Sequence, residues 1–402
     1  MEAGIKNYLI VTGGYWAFTI TDGAIRMMVV LYFHLLGYSP LEVAMLFLFY
    51  EFFGIVTNLV GGWLGARIGL NLTMNIGMGL QVIALSALTV PDSWLSVAYV
   101  MAAQALSGIA KDLNKMSAKA SVKTIAKDSE DSKLFKWVAV LTGSKNTLKG
   151  VGFFVGAGLL EWIGFRSALA LLAGLLFIVL VVTSIMLPSG FGKMKNKPKF
   201  TRVFSNKPAI NWLSSARFFL FGSRDVWFVV GLPVFLYDVL GWGFAKVGAF
   251  LALWVIGYGV VQVLSPQLIR GVHQGNGPNG HIARLWAVAL TLFPLAMVIA
   301  INQGVSVEPV VIVGIILFGI VFAVNSAIHS YLILHYSDHD KVSMNVGFYY
   351  MSNAAGRLAG TVLSGWAYQS QGLVGCLWWS FIFLLLATLI SFKLPSRSSV
   401  TG

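Results

Sequence analysis

The sequence predicts an all-α membrane protein, with twelve transmembrane helices in two six-helix bundles and both termini in the cytoplasm. Three observations predict it. The 402 residues are 57% hydrophobic and only 11% charged, more apolar surface than a soluble fold can hide. The apolar residues gather into twelve stretches, each close to the roughly 20 residues a helix needs to cross a bilayer. The basic residues between those stretches crowd onto one side.

The spans are expected at 8–36, 41–65, 72–90, 94–118, 135–160, 166–187, 209–237, 245–268, 283–302, 308–334, 342–368 and 372–393. Seven residues precede the first span, which is too long for the apolar core of a signal peptide and lacks a small-residue cleavage site, so it is expected to be retained. Eighteen Lys and Arg lie on the side of the termini, including Lys193, Lys195, Lys197 and Lys199, against only Arg166 and Lys246 opposite. The excess of Lys and Arg marks the cytoplasmic side. Much of the net charge of +13 is therefore topological, which argues against a nucleic-acid partner. The single cysteine, Cys376, can build neither a disulfide nor a thiolate cluster, and neither metal nor cofactor is expected.

The longest polar break, Pro188 to Pro208, is rich in Lys, Gly and Pro and reads as a cytoplasmic linker. It divides the chain into an N-terminal bundle, 1–187, and a C-terminal bundle with a short tail, 209–402. A weak internal repeat supports the division. A shift of 204 lays Gly241 and Val247 over Gly37 and Val43, and a shift of 208 lays Ser352, Arg357 and Gly360 over Ser144, Lys149 and Gly152. The segment Gly62-Trp-Leu-Gly-Ala-Arg-Ile-Gly resembles the loop between helices two and three of the major facilitator family, with Ala66 where that family carries an acid. The resemblance implies that fold, with an incomplete latch at this loop. Gly152, Gly156 and Gly158 on helix five resemble the family's antiporter signature without its proline, and serve equally as a helix-packing stripe.

Eight cations and four carboxylates fall inside the spans: Arg26, Lys111, Lys115, Lys145, Lys149, Arg217, Arg224 and Arg357 against Asp22, Glu51, Asp112 and Asp225. A cation at the centre of a spanning helix costs roughly 2.5 to 3.5 kcal/mol unless a partner offsets it. These residues must pair or line a wet cavity. Asp22 and Arg26 are four apart and can bridge on one face. Lys111 and Lys115 share a face of helix four, Lys145 and Lys149 a face of helix five, and Arg217 and Arg224 a face of helix seven. Like charges on one face repel, and an anion between them offsets the repulsion. Lys115 lies near enough to the cytosolic end for its ammonium to reach water.

Lys149 and Arg357 occupy matching mid-span positions in the two repeats. The flat fork of an arginine and the point charge of a lysine together suit a phosphate-like oxyanion. The expected substrate site is therefore Lys149, Arg357 and Arg224, with Lys145 and Lys111 on the cytosolic approach and Arg217 and Arg26 completing the cationic set. The competing reading gives Lys149 a private salt bridge to Asp112 or Asp22. Glu51, with no basic residue within four positions, and Asp22 are the candidates for a proton carrier; Asp112 pairs charge, and Asp225 neutralises its neighbour Arg224. His329 reads as a hydrogen-bonded core residue, with His335 a further titratable group. The chain shows no nucleophile and base pair, no metal-ligand spacing and no soluble domain, so a transporter of anions is expected rather than an enzyme.

Four runs narrow the reading: 15–26 (YWAFTITDGAIR), 106–119 (LSGIAKDLNKMSAK), 141–153 (LTGSKNTLKGVGF) and 221–228 (FGSRDVWF). They resemble the ArsJ-type organoarsenical efflux permeases of the major facilitator superfamily. The resemblance implies a monomeric antiporter of the bacterial inner membrane that exports 1-arseno-3-phosphoglycerate and so gives arsenate resistance. Its functional partner is then the glyceraldehyde-3-phosphate dehydrogenase that makes this ester from arsenate. Pentavalent arsenic is tetrahedral and phosphate-like, which suits cations, whereas trivalent arsenic calls for thiolates. An organophosphate and phosphate exchanger of the same fold would show the same residues.

Overall fold

The computed structural model describes residues 2–37, 46, 48–125, 131–188, 190, 193, 207–273, 277–338 and 341–396, and every element among them is helical. The helices are α1 (Glu2–Leu35), α2 (Leu48–Ile68), α3 (Leu70–Ala87), α4 (Val97–Ile125), α5 (Asp131–Ile163), α6 (Phe165–Met186), α7 (Pro208–Phe228), α8 (Phe244–His273), α9 (Gly280–Asn302) and α10 (Val307–Tyr336). The last helical stretch, Val342–Ser391, breaks at Gly372 (φ 63°) into α11 (342–371) and α12 (373–391). These are the twelve expected segments in order. Most of the basic linker, and the outer turn that carries half of the 204-residue match, lie outside the described residues.

Glycine makes the tightest breaks, because φ values of 107° at Gly69 and 78° at Gly164 are strained for any residue with a Cβ. One span is present but irregular. The stretch 209–237 is not continuous: α7 stops at Phe228, and the chain resumes as a short turn, Gly231–Val234, and a π-helical turn, Phe235–Val239. Pro233 is the physical reason, since its ring crowds the carbonyl four residues back and it has no N–H to give.

By length and composition, eight helical stretches among the described residues can cross a membrane. Helices α4 and α5 are not among them, because Lys111, Asp112, Lys115, Lys145 and Lys149 interrupt their apolar runs. Where the polar groups go is visible in the burial: Gln104, Ser107, Lys111, Asp112, Asn114 and Lys119 of α4 all lie inside the protein. Conversely, α6 turns Leu175, Phe177, Ile178 and Ile185 outward, as a helix in contact with acyl chains must.

The chain divides into two compact units. One comprises 1–129, 144–205 and 337–351; the other comprises 130–143, 206–336 and 352–402, so the first turns of α5 and α11 each belong to the unit opposite the rest of their helix. In the first unit α4 packs along α1, α2 and α3, and α6 covers α1 and α3. The start of α11 seats on α2, where a Cβ on Gly347 would stand 2.6 Å from the Asn58 carbonyl oxygen and Ser343 donates to the Gly62 carbonyl at 2.7 Å. Ala66, the position of the missing acid, is fully buried against Met344. In the second unit α10 packs against α7, α8 and α9 around an aromatic core in which Trp227 meets Phe318 and Trp254 edge-on at 5.1 and 5.9 Å.

Small residues bring α5 onto α1. A Cβ on Gly152 would stand 2.6 Å from the Ile20 carbonyl oxygen, and one on Gly156 would stand 2.5 Å from that of Ala24. The second unit repeats the device, with a Cβ on Gly360 of α11 falling 2.5 Å from the Gly222 carbonyl oxygen of α7. Lipid supplies no hydrophobic force between helices, so close backbone approach is what holds them. Packing thus accounts for Gly152 and Gly156, whereas Gly158 faces open space. Thermal melts in detergent check this: Gly156→Val is expected to cost about 1–3 kcal/mol by overpacking, and Gly158→Ala to stay within about 0.5 kcal/mol of the native protein.

Candidate functional site

The first unit collects its charges where α1, α2, α4 and α5 meet. Asp22 of α1 is buried and splits its carboxylate: Oδ2 pairs with Lys149 of α5 at 3.2 Å, and Oδ1 accepts from the Tyr50 hydroxyl of α2 at 2.5 Å. The ring of Tyr50 carries the neighbouring cations, with Lys111 Nζ 3.8 Å, the Arg26 guanidinium 4.9 Å and Lys149 Nζ 5.9 Å from its centroid. Cation–π contacts of this kind contribute about 0.5 to 2 kcal/mol, more as water is excluded. Next to Lys111 on α4, Asp112 takes Lys115, one turn on, at 2.5 Å and stands 3.8 Å from Lys111, while Lys115 lies 4.4 Å over the Tyr350 ring. Among the described residues, four cations gather here with two carboxylates.

The second unit builds a counterpart from α7, α10 and α11. Asp225 has no exposed surface and is held by two arginines: Arg357 Nε reaches Oδ2 at 2.9 Å, and Arg224 Nε donates to Oδ1 at 2.7 Å. Arg224 also lies 5.1 Å over Phe221. Arg217, two turns back on α7, is buried: it donates through Nε to Asn353 Oδ1 at 2.9 Å and through Nη1 to Ser326 Oγ at 3.1 Å, and stacks 3.7 Å over Phe221. Among the described residues, three cations gather here with one carboxylate. Thus Lys149 pairs with α1, and Arg357 with α7, at equivalent steps of the repeat.

A family model described as the Major Facilitator Superfamily matches residues 11–301, well over half of the chain. The chain belongs to the Major Facilitator Superfamily. Solved facilitator structures share its fold. A bacterial homologue of the iron transporter ferroportin, in an outward-facing state, is 17% identical with a TM-score of 0.76, over 96% of this chain and 98% of that one. The human organic anion transporter MFSD10 (TETRAN) is 15% identical with a TM-score of 0.76, over 96% and 99% of the two chains. The proton:xylose symporter XylE, bound to 6-bromo-6-deoxy-D-glucose, is 13% identical with a TM-score of 0.75, over 98% and 96%. No curated protein sequence matches the chain.

On the facilitator scaffold, several sequence expectations change. The salt bridge of Lys149 goes to Asp22, and Asp112 belongs to the α4 lysines. Arg26 stacks on Tyr50, and the carboxylate of Asp22, four residues before it, is directed to α2 and α5. The ammonium of Lys115 meets Asp112, a buried carboxylate one turn away, while its side chain keeps some exposed surface. Asp225 neutralises two arginines rather than one. His329 lies buried in the core, but its Nδ1 finds no hydrogen-bond partner among the described residues, nor does the side-chain amide of its α10 neighbour Asn325. His335 instead meets Asp131 at 3.2 Å and Tyr331 at 3.1 Å. Lys145 sits half-buried one turn before Lys149. The side chain of Glu51 lies outside the described residues. Tyr50, Tyr350, Ser326 and Asn353 were not foreseen as site residues, and for Tyr50 the available signal was its place beside Glu51 in the otherwise apolar stretch Leu46 to Phe53.

Proposed function

We propose that this facilitator is a secondary transporter that exports an oxyanion, with 1-arseno-3-phosphoglycerate as its substrate. The observation that carries the reading is the gathering of cations inside each helical unit: Lys149, Lys111, Arg26 and Lys115 around Asp22, Asp112 and Tyr50, and Arg357, Arg224 and Arg217 around Asp225 and Phe221. An oxyanion is the ligand such clusters favour, because a negative charge among them lowers the repulsion between neighbouring cations. Lys149, Lys111, Lys145 and Arg26 of the first unit, and Arg357, Arg224 and Arg217 of the second, are the proposed binding set. The resemblance to organoarsenical permeases directs the choice of anion, and supports a setting in the bacterial inner membrane with a glyceraldehyde-3-phosphate dehydrogenase as the source of the ester.

Transport follows alternating access. An incoming anion competes with Asp22 for Lys149, and the displaced carboxylate is then suited to take a proton, which couples export to proton entry, with Glu51 as the second candidate carrier. Resistance assays in cells test the substrate. With a co-expressed glyceraldehyde-3-phosphate dehydrogenase, arsenate tolerance is expected to rise and arsenite tolerance to stay unchanged; protection against arsenite alone overturns the assignment. Everted vesicles test the coupling and the substrate together. Uptake is expected to follow an imposed pH gradient, and uptake that ignores it but follows a phosphate gradient identifies an organophosphate and phosphate exchanger instead.

A further inference from the structure

We propose that Tyr50 is the positioning residue that makes the Lys149–Asp22 pair exchangeable, so that an oxyanion can displace the carboxylate without leaving it buried and unpartnered. The inference rests on the anion-transport reading above. Its ground is an asymmetry between the two units. Asp225 is locked by two arginines, one on each oxygen. Asp22 has a lysine on one oxygen and, on the other, the neutral hydroxyl of Tyr50 at 2.5 Å. A hydrogen bond from a neutral donor holds the carboxylate in place while adding no second positive charge to hold it shut.

The ring of the same residue carries Lys111 at 3.8 Å and Arg26 at 4.9 Å, which keeps two further cations beside the carboxylate that leaves Lys149. Tyr50 is itself immobile. It is 1% exposed, and Gly108 of α4 comes so close that a Cβ there would stand 2.6 Å from the Tyr50 carbonyl oxygen. One fixed side chain thus restrains Asp22 through its edge and touches Lys111 and Arg26 through its face. An anion arriving at Lys149 exchanges partners within an already assembled cluster.

A double-mutant cycle on binding tests this, with 3-phosphoglycerate and inorganic phosphate as probes of the detergent-purified full chain by calorimetry. Tyr50→Phe keeps the ring and frees Asp22 to close both oxygens on Lys149, so affinity is expected to fall about tenfold, the effect of one hydrogen bond to a charged group. Asp22→Asn removes the competitor and is expected to tighten binding by a similar factor. In the Asp22→Asn background Tyr50→Phe is expected to be silent. A purely structural role for Tyr50 instead weakens binding equally in both backgrounds, and that result, or an unchanged affinity in Tyr50→Phe, overturns the inference. Should Tyr50→Phe not fold, Asp22→Asn decides alone: binding no tighter than native overturns the exchange. Native protein that binds neither probe removes the anion reading and this inference with it, whereas native binding with an additive cycle removes the inference only.

Discussion

Asp225→Asn is expected to destabilise the protein by about 3–5 kcal/mol, the largest effect of any single substitution in either charge cluster. The carboxylate has no exposed surface and serves Arg224 on one oxygen and Arg357 on the other. Asparagine fills the same volume but carries no charge, so both guanidinium groups remain inside the protein without it. Arg357 is the better placed to recover, being 30% exposed on its side chain against 14% for Arg224. The penalty should therefore fall mainly on Arg224. Thermal melting in a mild detergent measures it, and adding Arg357→Gln to Asp225→Asn is expected to recover part of the loss by removing one orphaned charge. A variant that melts with the native protein would show that the arginines find counter-charge elsewhere.

Lys149→Met is expected to abolish most transport while leaving the protein folded. Methionine keeps the length and packing of the stem, and Asp22 retains Tyr50, with Lys111 and Arg26 close by on the ring of that tyrosine. What disappears is the one cation shared between the carboxylate and the incoming anion. Hydrogen bonds to a charged group contribute about 1.5–3 kcal/mol, so affinity for the exported oxyanion should fall by roughly tenfold to a hundredfold or more. Arsenate resistance in cells should fall with it. Lys149→Arg restores the charge with a wider fork and is expected to recover binding in part. Full resistance in a folded Lys149→Met protein would remove Lys149 from the site.

Which helices touch was only partly legible. The 208-residue repeat already set Arg357 over Lys149 and Gly360 over Gly152, and both correspondences have physical content in the structure: each cation meets an aspartate on the first helix of its half, and each glycine lets that helix approach. The glycine stripe on α5 admitted two readings in sequence. Backbone contacts at Gly152 and Gly156, and open space at Gly158, assign the first two to packing. The break in α7 was also within reach of the sequence, because Pro233 forbids a regular helix through the turn before it.

By itself the sequence determined the number of membrane segments, their order, and which residues sit at a cost inside them. Those properties are local. Bilayer thickness is matched by a run of consecutive residues, and the penalty for a buried charge attaches to the residue that bears it. Only the tertiary structure decided who meets that penalty for whom. Lys149 had Asp112 and Asp22 as equal prospects, and Asp225 had an adjacent arginine that hid its second partner on α11. Electrostatic interaction depends on distance through space, and α1, α2, α4 and α5 come together only once small residues let their backbones close. The role of Tyr50 is of the same kind. A tyrosine in an apolar run has no period and no charge to betray it, and its place between Asp22 and Lys111 exists only where three helices cross.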